Sequence, residues 1–187
     1  MLDKTQPQAI NGMNVDDVNA LIESVKADAA NGETKWRVTS AWQGRTHNRA
    51  TVSSFHIGGE EVKRQFTIDM DEPPQLGGAD QFANPQEHLL AALNSCMMVG
   101  YVALCSLAGI RIESLEIETN GAIDLRGFLD LDDTVAEGYE NLDYVVRIKG
   151  DATPEQFEEI HQAVMKTSPN FYNLSRAVAL NATLQVE

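Results

Sequence analysis

The residues that could take part in the most kinds of chemistry in this 187-residue chain are its two cysteines, Cys96 and Cys105. A cysteine thiolate can attack an electrophile, bind a metal or join another cysteine in a disulfide. Nine residues separate the two, or about 900° around a helix, so they would lie on opposite helix faces and could not bridge. Activation of Cys96 requires a cation from another segment, because the predicted helix start at Pro85 is eleven residues away. Without such a cation, both thiols would be small buried hydrophobic groups.

Metal and cofactor sites need residue spacings that this sequence lacks. None of the four histidines stands next to a cysteine or another histidine at the short spacing of paired zinc ligands. GxSxG, Walker and GxGxxG patterns are also absent, and the glycine pairs at 58–59 and 77–78 are typical of turns. We therefore expect no metal and no cofactor.

Both cysteines lie in a stretch without charged side chains that runs from Leu89 to Ile110. The tetrapeptide NPQE, residues 84–87, is typical of a helix start, with a capping residue, a proline in the first helical position and an acid in the third. Gly109 suits the residue after the helix end. The stretch therefore predicts a helix of about 24 residues, roughly 36 Å long.

A helix that is apolar on every side is typical of a membrane span or of a protein interior. Acidic residues flank the stretch on both sides, and no asymmetry of Lys and Arg would orient a span. The alternating strands before and after it also need an apolar partner to cover. We therefore predict a central buried helix with no membrane partner, and a homodimer, because so few strands cannot surround such a helix in one chain.

The remaining patterns predict an α+β fold with mainly antiparallel sheet. Residues 15–30 have helical spacing, so 1–33 is expected to be an N-terminal helical extension and 34–187 a single domain. Thr153 begins a capping box for a helix over 153–167, while 168–175 and the acidic stretch 130–141 are expected to be loops. Trp36 and Trp42 share one strand face and are expected in the core. Alternating residues predict strands at 35–42, 50–57, 60–70, 111–125, 142–150 and 176–186.

Charge and composition narrow the function classes further. The formal net charge of −14 repels phosphate backbones and anionic lipids, so no nucleic-acid partner is expected. Two cysteines do not make the framework of a disulfide-built secreted scaffold. The first residues lack the basic and apolar regions of a signal peptide, and we therefore expect a cytoplasmic protein.

The segment EPPQLGGADQFANPQEHLLAALNSCMM, residues 72–98, resembles the OsmC/Ohr family of peroxide-handling proteins. In that family the central helix begins after an Asn-Pro pair and carries a reactive cysteine in an AALxSC-like run. The gap-free spacing of 14 residues from Ala83 to Cys96 carries the resemblance, which extends from about Trp36 to Glu187. It implies an OsmC-like intertwined homodimer, with antiparallel sheet from both chains wrapped around long central helices and active sites at the subunit interface.

The resemblance also implies roles for particular residues. Cys96 would attack an organic hydroperoxide and become a sulfenic acid. An arginine of the N-terminal sheet, paired with a glutamate at the helix start, would stabilise the thiolate. This arginine corresponds to Arg45 or Arg49, of which we favour Arg45. The family's glutamate position falls on Gln86, with Glu87 one residue later.

The position of the family's second, resolving cysteine falls on Ser168, and a serine cannot form a disulfide. The sequence therefore predicts a thiol-dependent peroxidase of one-cysteine type in the oxidative-stress response. A small organic hydroperoxide would be the substrate, and an external thiol would be the reductant. Cys105 could replace the resolving cysteine only by meeting Cys96 of the partner subunit. The alternative is a non-catalytic OsmC-like binding or sulfur-accepting protein, with an apolar pocket at the dimer interface.

Overall fold

The structure, a computed structural model, describes residues 9–186 and consists of helices and antiparallel strands. The α+β class predicted from the sequence is confirmed. The chain divides into a first unit that ends at Leu89 and a second unit that begins at Leu90. The boundary between these units falls within the central helix, and the division into 1–33 and 34–187 stays a prediction.

The first unit begins with a small hairpin of β1 (Ala9–Ile10) and β2 (Met13–Asn14), followed by α1 (Val15–Ala27). Helix α1 starts where the sequence predicts, because the Asn14 side chain accepts a hydrogen bond from the N–H of Asp16. It ends three residues earlier than predicted. Asp28 caps a short 3-10 helix, Ala29–Gly32, in place of the last α-helical turn.

A sheet of four strands forms the rest of the first unit: β3 (Thr34–Trp36), β4 (Thr39–Gly44), β5 (His47–Ile57) and β6 (Glu60–Met70). Strands β3 and β4 pair with successive parts of one edge of β5, and β6 pairs with the other edge. The predicted hairpin at residues 58–59 is confirmed, since both glycines have the positive φ angles that a two-residue turn needs.

The prediction of one continuous strand over 35–42 is wrong, because residues 37 and 38 separate β3 from β4. At the same level, β5 carries a bulge between Val52 and Ser54 in its pairing with β6. A bulge bends its strand and interrupts the hydrogen bonds to the neighbouring strand. A single straight strand over 35–42 could therefore not stay in register with β5 past the bulge.

Trp36 and Trp42, expected in the core, are instead 64% and 75% exposed. Trp36 belongs to an aromatic face of the sheet, which we define as Trp36, Phe55, Val62, Arg64 and Phe66. The Arg64 guanidinium carbon lies 4.7 Å from the centre of the Phe55 ring, and Trp36 stacks on Phe55. Alternation identified which residues share a face, but it carries no information on what covers that face.

The second unit contains most of α2 (Pro85–Leu107), the antiparallel pair β7 (Ile112–Gly121) and β8 (Leu142–Gly150), and three further helices. These helices are α3 (Leu125–Phe128), α4 (Pro154–Thr167) and α5 (Pro169–Leu174). The capping box predicted for α4 is present. Residues 169–174, expected in a loop, form α5, because Ser168 caps a turn that Pro169 begins.

Helix α2 is buried along one stripe of residues spaced four apart, Leu93, Met97, Tyr101 and Cys105. Gly100 allows α4 to approach closely, since a Cβ there would lie 3.3 Å from a methyl group of Val164. The opposite side is open, and Val99 is 64% exposed. The prediction of a buried helix is therefore confirmed for one face only, and by length and composition alone the helix could cross a membrane.

The sequence predicts a last strand over residues 176–186, and this prediction is wrong for the structure of a single chain. These residues are irregular, and they pair with no strand in the part of the chain that the structure describes. Leu180 is 91% exposed. An alternating pattern forms a strand only beside an open sheet edge, and the pattern itself does not say whether that edge belongs to the same chain.

Candidate functional site

Cys96 lies near the middle of α2, in the second unit, as a half-buried residue with a free thiol. The hydroxyl of Ser168 donates a hydrogen bond to its Sγ atom, with 3.3 Å between the two heavy atoms. The contact joins the residue predicted as the nucleophile to the one at the family's resolving position. The sequence resemblance placed Ser168 at the resolving position, but sequence reasoning did not foresee that the serine would hydrogen-bond the sulfur.

The corner between α4 and α5 brings Ser168 to the sulfur. The N–H of Ser168 donates to the carbonyl oxygen of Val164 and ends α4, while its hydroxyl oxygen accepts from the N–H of Phe171 and begins α5. One residue past Pro169, the side-chain amide of Asn170 donates to the carbonyl of Ala92 at 2.8 Å. Ala92 lies one helical turn before Cys96, so two polar contacts fasten this corner to α2.

Cys105 is fully buried in the second unit, and among residues 9–186 no side chain is recorded in a hydrogen bond with its sulfur. Burial raises the pKa of its thiol, because removal from water disfavours the thiolate. A protonated, inaccessible thiol does not act as a nucleophile. Cys105 therefore has the character of a core residue, and the two cysteines are chemically distinct although they share one helix.

Glu87 lies in the first unit and forms a capping box at the start of α2. Its carboxylate accepts from the N–H of Asn84 at 2.7 Å, and the Asn84 side chain accepts from the N–H of Glu87 at 2.8 Å. The acid is exposed and pairs with no arginine in the described part of this unit. Its role in orienting an arginine stays a prediction.

The two candidate arginines occupy different environments in the first unit. Arg49, on β5, forms an ion pair with Asp69 on β6 through its Nε atom at 2.8 Å. The same carboxylate contacts His47, and hydrogen bonds from His47 and then Arg49 lower the pKa of Asp69. Arg45 occupies the β4–β5 turn with φ of +50°, and no carboxylate described in this unit pairs with its guanidinium. Arg49 is thus engaged, whereas Arg45 is available to another segment.

Asp71 fastens the turn that carries Arg45 to the loop before α2, a role that sequence reasoning missed. The carboxylate is 2% exposed and accepts from the hydroxyl of Thr46 at 2.6 Å. It also accepts from three backbone N–H groups of the loop, those of Glu72, Ala79 and Gln81. The hydroxyl of Thr46 and these N–H groups lower the pKa of Asp71 to about 2. The sequence feature that could have indicated this role is the position of Asp71, an acid at the start of a loop rich in proline and glycine.

The loop closes tightly around Asp71 at Gly78. A Cβ atom at this position would lie 1.6 Å from the carbonyl oxygen of Glu72, so no other residue fits without moving the backbone. Within residues 9–186, His, Cys, Asp and Glu side chains do not gather in a group of three that could hold a metal ion.

Comparison with known proteins agrees with this fold. Residues 78–183, more than half of the chain, match the family of OsmC-like proteins. The chain therefore belongs to the OsmC-like family. It is 22% identical over 151 residues to the uncharacterized protein YmaD of Bacillus subtilis (strain 168), covering 78% of this chain and 87% of that protein.

Solved structures show the same fold at low sequence identity. The OsmC-like protein of Mycoplasma pneumoniae has a TM-score of 0.59 and 17% identity, covering 75% of this chain and 87% of that one. An organic hydroperoxide resistance protein OsmC of Legionella pneumophila has a TM-score of 0.50 and 13% identity, covering 75% and 88%. At such identities the likeness shows the fold, while activity has to be argued from the site.

We expect Asp71→Asn to lower the unfolding midpoint strongly at neutral pH, because an amide nitrogen would face N–H donors of the loop. The native pKa of about 2 lies below the unfolded value of 3.8, so the carboxylate's contribution is complete above about pH 4. It is lost as the pH falls towards 2. Urea unfolding of wild type and variant at several pH values should show the difference narrowing below pH 4. The exposed Asp133→Asn is the control, and a pH-independent difference would contradict the prediction.

Proposed function

We propose that this protein is a thiol-dependent peroxidase of one-cysteine type that reduces small organic hydroperoxides, with Cys96 as the nucleophile. The observation that carries the proposal is the half-buried residue Cys96, a free cysteine at the family's motif position whose sulfur contacts a hydroxyl donor. Membership of the OsmC-like family supports a general redox role. The name of the Legionella pneumophila relative, a hydroperoxide resistance protein, points in the same direction.

The proposed chemistry begins with the Cys96 thiolate attacking one oxygen of the hydroperoxide ROOH. A sulfur–oxygen bond forms, the oxygen–oxygen bond breaks, and the alkoxide leaves and takes up a proton to give the alcohol ROH. Sulfur is oxidised to sulfenic acid by two electrons, which reduce the peroxide. An external thiol then condenses with the sulfenic acid and releases water, and a second thiol reduces the resulting mixed disulfide.

The one-cysteine type rests on the two residues that would otherwise resolve the sulfenic acid. Ser168 stands beside the sulfur but cannot make a sulfur–sulfur bond. Cys105 is fully buried and lies nine residues along the same helix. A reducing compartment supplies external thiols, so we place the reaction in the cytoplasm, as part of the oxidative-stress response.

Reduced wild-type protein should consume cumene hydroperoxide at least about 100-fold faster than free cysteine at pH 7, as expected when one electrostatic contact stabilises the transition state. Stopped-flow kinetics with mass mapping of the oxidised peptide would measure the rate and the site. Cys96→Ser should abolish the reaction, while Cys105→Ala is the matched control and should retain it. A rate equal to that of free cysteine would instead favour a non-catalytic binding or sulfur-accepting protein.

An arginine is proposed to bring the positive charge that α2 lacks, and Arg45 is the stronger candidate because no carboxylate in the described part of its unit pairs with its guanidinium. Arg45→Ala should lower the rate constant with cumene hydroperoxide by about 100-fold. Arg49→Ala, which removes the ion pair with Asp69, should lower this rate constant much less. Glu87→Gln keeps the capping geometry, so a reduced rate in that variant would report its proposed role in orienting the arginine. The reverse order for the two arginine variants would assign the role to Arg49.

We further propose that the protein is a homodimer in which a second copy covers the exposed apolar surfaces. The aromatic face of the sheet, the open side of α2 and residues 176–186 all expose large apolar side chains. The last segment alternates, with apolar residues at 178, 180, 184 and 186 and polar residues at 181, 183 and 185. Such a segment is suited to pairing with a sheet edge of the partner subunit.

Light scattering after gel filtration should give the mass of two chains. Leu180→Asp, which places a charge on the apolar side of the segment, should raise the dimer dissociation constant by at least about tenfold. Asn181→Asp introduces the same charge on the polar side and should leave the dissociation constant nearly unchanged. A monomeric wild-type protein at micromolar concentration would contradict the dimer.

A further inference from the structure

Both the oxygen and the hydrogen of the Ser168 hydroxyl group have hydrogen-bond partners. The residue is 5% exposed, so water does not compete for its hydrogen bonds. The hydroxyl oxygen accepts the N–H of Phe171 at 3.3 Å, and the hydroxyl hydrogen is directed towards Sγ of Cys96 at the same distance. A serine hydroxyl has one hydrogen to donate, and here that hydrogen has the sulfur as its acceptor.

We infer that Ser168 is a positioning residue for the redox chemistry of Cys96, and that its hydroxyl stabilises the thiolate by donating a hydrogen bond to Sγ. This inference rests on the proposed function of Cys96. A hydrogen bond from a neutral donor to a charged acceptor is stronger than one to a neutral acceptor, so it favours the ionised form. Helix α2 has no charged side chain from Leu89 to its end at Leu107, and Ser168 supplies a polar contact that the helix itself lacks.

The neighbouring backbone makes this donor rigid. Ser168 ends α4 through its N–H and begins α5 through its hydroxyl oxygen, and Asn170 holds the same corner against Ala92. The hydroxyl therefore does not have to be ordered when the thiolate forms. Pre-organised donors of this kind stabilise a developing charge without a further cost in side-chain entropy.

The same geometry explains why a serine here leaves the oxidised sulfur to an outside thiol. Its oxygen stays in contact with sulfur but forms no covalent bond to it during the reaction. A cysteine in this place would condense with the sulfenic acid, form a sulfur–sulfur bond and release water. The gap between the heavy atoms is 3.3 Å, so closure to a disulfide bond of about 2.0 Å requires a shift of only about 1 Å.

The competing explanation is that Ser168 serves only as the cap of α5. Loss of a cap lowers stability, so a change in stability alone would not separate the two roles. The two roles differ in how they affect the pH dependence of the thiol's reactivity. A lost thiolate donor slows alkylation near neutral pH and has little effect at high pH, where the thiol is fully ionised. A distorted site changes the limiting rate at high pH as well.

The test is the rate of alkylation of Cys96 by iodoacetamide from pH 5 to 11, followed by peptide mass mapping, for wild type and three variants. Ser168→Ala should react about tenfold more slowly than wild type at pH 7, the factor expected for one lost hydrogen bond to a charged group, and should converge with it at high pH. Ser168→Thr keeps the hydroxyl and should restore the profile. Thr167→Ala removes the neighbouring exposed hydroxyl, which donates to the carbonyl of Ala163, and should stay within about twofold of wild type at pH 7, well below the effect of a lost hydrogen bond.

A second variant tests the geometry independently of ionisation. Ser168→Cys, treated with one equivalent of cumene hydroperoxide, should form an intramolecular disulfide between Cys96 and the introduced cysteine, with the loss of two hydrogen atoms. Wild-type protein should instead yield the sulfenic acid, trapped by dimedone. Ser168→Ala alkylating like wild type at pH 7, or no disulfide in Ser168→Cys although wild-type Cys96 is oxidised, would overturn the inference. If wild-type Cys96 is not oxidised at all, the proposed function fails, while the alkylation profile still decides whether Ser168 is a thiolate donor.

Discussion

The second unit depends on covering the charge-free helix α2. A helix that is apolar on all sides cannot leave those sides in water without a large free-energy cost, so neighbouring elements must supply apolar surface. Strands β7 and β8 and helix α4 cover one stripe, in which Leu93, Met97 and Tyr101 pack with Ile117 and Val164. The remaining sides keep exposed apolar groups. This constraint places β7, β8 and α4 on the same side of the helix, and it is the physical reason for proposing a second copy.

The same constraint shapes the chemistry at Cys96. A helix without charges offers its cysteine no cation within its own span, and the helix N-terminus is too far away to help. Polar assistance must therefore come from other segments. In the second unit the Ser168 hydroxyl contacts the sulfur, because α4 ends and α5 begins at that residue. In the first unit, Arg49 is already paired with Asp69, whereas no carboxylate described in that unit pairs with Arg45.

Local patterns were reliable wherever a structure is made by residues close together in the chain. The starts of α1, α2 and α4 follow from Asn14, Asn84 and Thr153, because a cap needs only its own side chain and the next three residues. The turn at 58–59 follows in the same way from two glycines. Predictions were wrong where the outcome depends on a distant partner. Trp36 alternates like a core residue but is exposed, and residues 176–186 alternate like a strand but pair with no strand in the described chain.

The sequence by itself determined the family, the central helix and the identity of the candidate nucleophile, because a motif and its spacing lie in a continuous run of residues. It also determined that a disulfide cannot form at position 168. Only the tertiary structure decided that Cys105 is buried and that Arg49 is engaged with Asp69. It likewise decided that the Ser168 hydroxyl meets the sulfur of Cys96, 72 residues away in the chain. Burial, ion pairing and hydrogen bonding at such separations depend on how whole elements pack, and no local pattern encodes that packing.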